Sequence, residues 1–148
     1  MRSKTSTWFE TKIKYDRVQE DGYEKSVTES YTVDAMSFTE AETKIVEEMS
    51  ALTTGETFIK AITRASYSEV FFSEDNADDR WYRAKLAFLS IDERTEKEKR
   101  TNVVYLVQAA SLDKARAYVK EVMDKTTIDY EVVSISETPL LDVFEHKA

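Results

Sequence analysis

The chain has no cysteine, one proline, two glycines and one histidine among its 148 residues. Each scarcity removes a class of chemistry. Without Cys there is no disulfide framework, thiolate nucleophile, zinc finger or iron–sulfur cluster. A single His cannot supply a multi-His metal site within one chain. Two Gly cannot build a Gly-rich phosphate loop. No window approaches about 18 consecutive apolar residues, the length that spans a bilayer. The opening Met1-Arg2-Ser3-Lys4-Thr5-Ser6-Thr7 has no apolar core of the kind a signal peptide needs. These readings predict a cytoplasmic protein that does not engage membranes.

Acidic side chains outnumber basic ones by 29 to 21, giving a net charge of −8. That excess argues against broad attraction to nucleic acid or anionic lipid, which requires a basic surface. Eight Tyr, seven Phe and two Trp are too many aromatics for a disordered chain. The length suits one domain, or two small halves sharing one core.

The sequence resembles itself. Trp8-Phe9-Glu10-Thr11-Lys12-Ile13-Lys14-Tyr15 matches Trp81-Tyr82-Arg83-Ala84-Lys85-Leu86-Ala87-Phe88. Tyr31–Met49 aligns with Tyr105–Met123, with seven of 19 positions identical, where average composition gives about one. Ile62–Phe71 aligns with Ile135–Phe144. The reading is an internal duplication: residues 1–72 form a first repeat, 73–80 an acidic linker, and 81–148 a second repeat.

Each repeat reads as strand, strand, helix, strand and a short tail. Phe9, Thr11, Ile13 and Tyr15 alternate with Trp8, Glu10, Lys12 and Lys14, the period of a half-buried strand. Tyr82, Ala84, Leu86 and Phe88 alternate in the same way with Trp81, Arg83, Lys85 and Ala87. Long charged hairpin loops follow, with Asp21-Gly22 marking a turn in the first. Val27, Glu29, Tyr31, Val33 and Ala35 share one face of the second strand, as do Thr101, Val103, Tyr105, Val107 and Ala109 in the other repeat. Ser37 with Glu40 has the pattern of a capping box. Phe38, Ala41, Ile45, Met49 and Leu52 recur at helical spacing, as do Leu112, Ala115, Val119, Val122 and Met123 behind Ser111. Gly55 is placed to end the first helical region. The expected fold is α+β: strand-strand-helix-strand units forming one pseudo-two-fold domain with antiparallel sheet and two helices. The tails Tyr67–Phe72 and Leu140–Phe144 are expected to seal the core beneath the helices. Exposed instead, they would suit a partner chain or a second copy.

No catalytic set emerges. A Ser–His–Asp arrangement would depend on His146, the third residue from the end, where a base is poorly held. Carboxylates are numerous enough for a metal-dependent hydrolase, but no spacing selects a pair. Glu47-Glu48 and Asp78-Asp79 are adjacent and should diverge into solvent. No catalytic residue, cofactor or metal is assigned.

One constellation suggests binding. Trp8 with Lys12 and Lys14, and Trp81 with Arg83, Lys85 and the neighbouring Arg80, occupy matching strand faces. An indole beside cations can stack on a nucleobase while the cations meet a phosphate. Such a site would take a small anionic or nucleotide-like ligand. The competing reading is structural: each Trp covers the outer face of its sheet.

The segments Trp8-Phe9-Glu10-Thr11, Ser37-Phe38-Thr39-Glu40-Ala41, Arg80–Lys85 and Tyr130–His146 resemble a family of unknown function found in anaerobic gut bacteria and their phages. The resemblance covers essentially the whole chain and transfers no catalytic residue. It implies association rather than chemistry: sequestering a small molecule, or blocking a host protein. The alternatives are a protein-interaction module, as inhibitor or adaptor, working as a homo-oligomer or on a host partner, and a carboxylate- and metal-dependent enzyme.

Overall fold

The computed structural model describes residues 1–53 and 55–146. The elements in chain order are β1 (Arg2–Thr5), β2 (Trp8–Val18), β3 (Glu24–Asp34), α1 (Phe38–Leu52), β4 (Thr57–Arg64), β5 (Glu69–Phe72), β6 (Arg80–Ile91), β7 (Glu98–Ala109), α2 (Leu112–Asp124), β8 (Asp129–Glu137) and β9 (Leu140–Phe144). The fold is α+β with two helices. No helix among the described residues is long and apolar enough to cross a membrane.

The chain forms two compact units. One comprises Met1–Thr5 and Ser66–Thr138, and the other Ser6–Ala65 and the chain from Pro139 onward. For brevity these are the α2 unit and the α1 unit. The α1 unit holds a four-stranded sheet in the order β4-β2-β3-β9. Phe9, Ile13, Tyr31 and Val33 point from it into a cluster with Ala41, Ile45 and Met49 of α1. These helix residues recur every four positions, so they lie on one stripe. Burying each large apolar side chain is worth roughly 1.5–3 kcal/mol. The ends of the expected stripe, Phe38 and Leu52, are exposed. Ser37 caps α1, its Oγ accepting from the Glu40 amide at 3.1 Å. The Glu40 carboxylate accepts from the Met36 amide at 3.3 Å rather than from Ser37 itself. The helix ends ahead of Gly55, at a Thr53 cap whose N–H donates to the Met49 carbonyl.

The α2 unit holds a five-stranded sheet in the order β1-β5-β7-β6-β8. Ala84, Leu86 and Val107 meet Val119 and Met123 of α2, and Ser111 caps that helix through the Lys114 amide. The same succession of elements, strand-strand-helix-strand-strand, thus runs from Trp8 and again from Arg80. The hairpin loop Asp92–Lys97 is one residue longer than its counterpart Gln19–Tyr23. In the shorter loop Gly22 adopts φ +84, a conformation that suits a residue without Cβ.

Fine details recur as well. The pairing of β2 with β4 slips between Lys12 and Ile13, leaving Lys60 as the extra residue. The pairing of β6 with β8 slips between Lys85 and Leu86, leaving Val133. The Trp8 carbonyl accepts from the Ala65 amide and the Trp81 carbonyl from the Thr138 amide, each at 2.9 Å.

Two expectations are corrected here. The sheets are mixed rather than antiparallel throughout, because the tails are strands and they join in parallel: β9 beside β3, and β5 beside β7. They do reach the helix-side cores, through Phe144 and Phe71, but as part of the sheets. The tail that follows β4 completes the sheet of β6 and β7, and the tail that follows β8 completes the sheet of β2 and β3. Each compact unit therefore draws on two separate stretches of the chain. Each strand satisfies a row of backbone groups that β3 or β7 would otherwise leave open on one side.

The second correction concerns Asp78, expected to diverge into solvent beside Asp79. Residues 73–79 fold onto the α2 unit, and Asp78 is 2% exposed. Its carboxylate accepts from Lys114 Nζ at 2.8 Å, the Ala110 amide at 2.8 Å, the Tyr118 hydroxyl at 2.5 Å and the Ser73 hydroxyl. A buried carboxylate is tolerated because every direction around it holds a donor.

Candidate functional site

The residues expected to bind a ligand separate into two groups. Both indoles are buried, Trp8 at 1% exposure and Trp81 at 2%. Alternation along β2 and β6 puts them on the sheet faces opposite the helices, and Phe72 meets Trp81 edge-on at 5.6 Å. Arg2 in turn lies over the Phe72 ring at 4.3 Å. Neither indole has a free face for a base to stack on, so the paired-platform arrangement is absent. The cause is size: a large apolar surface on a strand is driven out of water whichever sheet face it occupies.

The basic residues of β6 are mostly occupied or partly covered. Arg80 faces Glu137 at 3.7 Å. Hydrogen bonding to Tyr82, followed by the Glu137 charge, holds its pKa above the usual guanidinium value. Arg83 is half-buried and Lys85 is exposed.

The cations of β2 are different. Lys12 and Lys14 are exposed, two residues apart and therefore on one face. The sheet register sets Lys14 opposite Phe58, and the bulge sets Lys60 beside Ala61, the partner of Lys12. Lys60 and Phe58 are also exposed, Phe58 at 58%. Lys14, Tyr15, Asp16, Ser26, Phe58 and Lys60 line an open groove of about 490 Å³. That volume lies in the range of small-molecule sites. Lys12, Lys14 and Lys60 form no ion pair with any described residue. One carboxylate, Asp16, shares the rim. Burial first, then a hydrogen bond with Glu29, keeps the Tyr15 pKa above its ordinary value, so its hydroxyl is neutral at physiological pH.

This arrangement has chemical content. Ammonium groups with no internal partner attract an anion. Ser26 can donate a hydroxyl hydrogen bond, and Phe58 offers an exposed ring for a planar group to stack on. The α2 unit keeps one cation, Lys85 at the place of Lys12, but its other matching positions are Ala87, Glu131 and Val133, with Glu131 bound to Arg100 at 2.8 Å. Among the described residues, no three His, Asp or Glu side chains converge as metal ligands would.

Phe58 and Lys60 were not among the sequence candidates. The alternation of Phe58 with Ile59 was visible, and it puts Phe58 on the outer face; the bulge that leaves Lys60 beside Ala61 was not. The pairing of β4 with β2, which brings them to Lys14, was not.

The chain belongs to the family known as Domain of unknown function (DUF4494), which matches residues 7–146. No curated protein and no solved structure matches it.

Proposed function

We propose that this member of the family is a non-enzymatic binding protein for a small anionic, nucleotide-like ligand, held on the face formed by Lys12, Lys14, Lys60 and Phe58. The observation that carries the reading is local charge. In a chain of net charge −8, three exposed lysines share one sheet face without an internal counterion, next to an exposed aromatic ring. A phosphate would sit against Lys14 and Lys60, and a base against Phe58. The internal duplication belongs to the same proposal: one copy has acquired the cationic face and the other has not. A cytoplasmic location and a phage setting, in which such a protein would sequester a host signalling molecule, are consistent with it.

Ligand binding raises thermal stability by mass action, about 2.7 kcal/mol at a hundredfold excess over Kd. Thermal unfolding with pyrophosphate, mono- and dinucleotides and cyclic nucleotides is the test. The expected result is a rise with at least one of them, lost in Lys14→Glu/Lys60→Glu. Phe58→Ala should weaken nucleotides and spare pyrophosphate. A flat response across the set, or an unchanged response in the double variant, would overturn the reading.

A further inference from the structure

The bulged strands β4 and β8 lie at the outer edges of their sheets, each with one side unpaired within its sheet. Unpaired strand edges invite another strand, and proteins commonly block them with charge or bulges. Strand β4 carries Lys60 at its bulge and Arg64 at its end. Strand β8 carries Val133 and Glu137 at the matching places. Val132 and Val133 are exposed together, Val133 at 49%. The nine residues of β8 contain no proline and no cation. The same position in one protein is thus guarded by Lys60 on one edge and left apolar on the other.

We propose that β8 docks against β8 of a second copy of this chain, antiparallel and centred on Val132–Val133. This surface is separate from the cationic face, and the inference does not depend on the ligand reading. A two-fold contact needs a self-complementary strand, and β8 is one in this register. Glu131 and Ser134 oppose Ala87 and Lys85 of β6, so both lie on the face away from α2. Tyr130 and Ile135 oppose Phe88 and Ala84, and lie on the α2 side. Centring on Val132–Val133 sets Glu131 against the partner's Ser134 and Tyr130 against the partner's Ile135, each on a common face. Asp129 falls opposite the partner's Ser136. No carboxylate meets a carboxylate, which would weaken the pairing. Nine residues exceed the usual strand length of about 5–6, so pairing can run along both arms of the strand, on either side of the bulge at Val133.

Sedimentation of the full chain over a range of concentrations reads the association directly. The expected species is a dimer. Val133→Lys, which copies the residue found at the same place on β4, should yield monomer with an unchanged far-UV circular dichroism spectrum. Ser134→Glu, placed against the partner's Glu131, should weaken the dimer at least tenfold. Ser134→Lys should tighten it, because it meets the same carboxylate. Amide exchange should slow in β8 as concentration rises. A wild-type monomer at ~100 µM, a Val133→Lys dimer of wild-type affinity, or equal effects of the two Ser134 substitutions would each overturn the proposal.

Discussion

Asp34 and Gln108 stand at matching places near the ends of β3 and β7, and each holds the chain just beyond a parallel tail strand. Asp34 Oδ1 accepts from the His146 amide at 2.6 Å, and Gln108 Oε1 from the Ser73 amide at 2.9 Å. The helix residue at the corresponding position changes with them. Lys44 Nζ reaches Asp34 Oδ1 at 3.3 Å and its carbonyl at 2.6 Å. The counterpart of Lys44 is Tyr118, whose hydroxyl donates to Asp78. The charged acceptor Asp34 is accompanied by a cation. The latch needs only an acceptor. The charge is a local choice that requires compensation.

This makes Asp34 and Lys44 an energetic pair. Asp34→Ala removes the acceptor for His146 and strips Lys44 of one carboxylate, leaving Glu40 at 3.3 Å. The expected cost is about 2–3 kcal/mol. The double change Asp34→Gln/Lys44→Tyr installs the residues that stand at these two places in the α2 unit. It should cost at least about 1 kcal/mol less than the sum of the two single changes. Urea denaturation of the four proteins measures the coupling, and strict additivity would show that the two side chains act independently.

A second prediction concerns acid. Burial alone would raise the Asp78 pKa, but Lys114, Ser73, Tyr118 and the Ala110 amide together bring it below the ordinary carboxylate value of 3.8. A depressed carboxylate contributes stability above its unfolded pKa, and that contribution fades as pH falls through the folded value. The α2 unit should therefore lose stability below about pH 4. Asp78→Asn should be less stable at pH 7, by on the order of 3 kcal/mol, with a flatter acid limb. Denaturation midpoints from pH 2 to 7 give the comparison. Parallel curves for the two proteins would place the acid sensitivity elsewhere.

How much of this was legible follows from the range of each interaction. The strands and helices are local, and their periodicities of two and about four were plain in Phe9–Tyr15 and Ala41–Met49. So were the Ser37 and Ser111 caps, which act within three residues. The parallel placement of β5 and β9 was not, because Val70 meets Leu106 and Val143 meets Thr32 across long stretches of chain. No local pattern separates a tail that covers a core from a strand that joins a sheet. Asp78 was misplaced for the same reason. Its donors Ala110, Lys114 and Tyr118 lie 32 to 40 residues away, and an acidic run with no visible partners looks solvated. At the cationic face, Lys12 and Lys14 were legible from β2 alone. Phe58 and Lys60 required the register of a second strand.

The last prediction separates the structural aromatics from the ligand-facing one. Trp8 and Trp81 are buried, whereas Phe58 is largely exposed. Trp8→Ala and Trp81→Ala remove large shielded side chains and should each cost about 3–5 kcal/mol, while Phe58→Ala should change stability by less than about 1 kcal/mol. Native tryptophan emission should be blue-shifted and resistant to acrylamide, moving red on unfolding. A nucleotide that raises the melting temperature should leave that emission nearly unchanged, since it settles on Phe58 rather than on an indole. Strong quenching by the nucleotide, retained in Phe58→Ala, would return the binding role to the tryptophans and require a strand face that opens to admit the base.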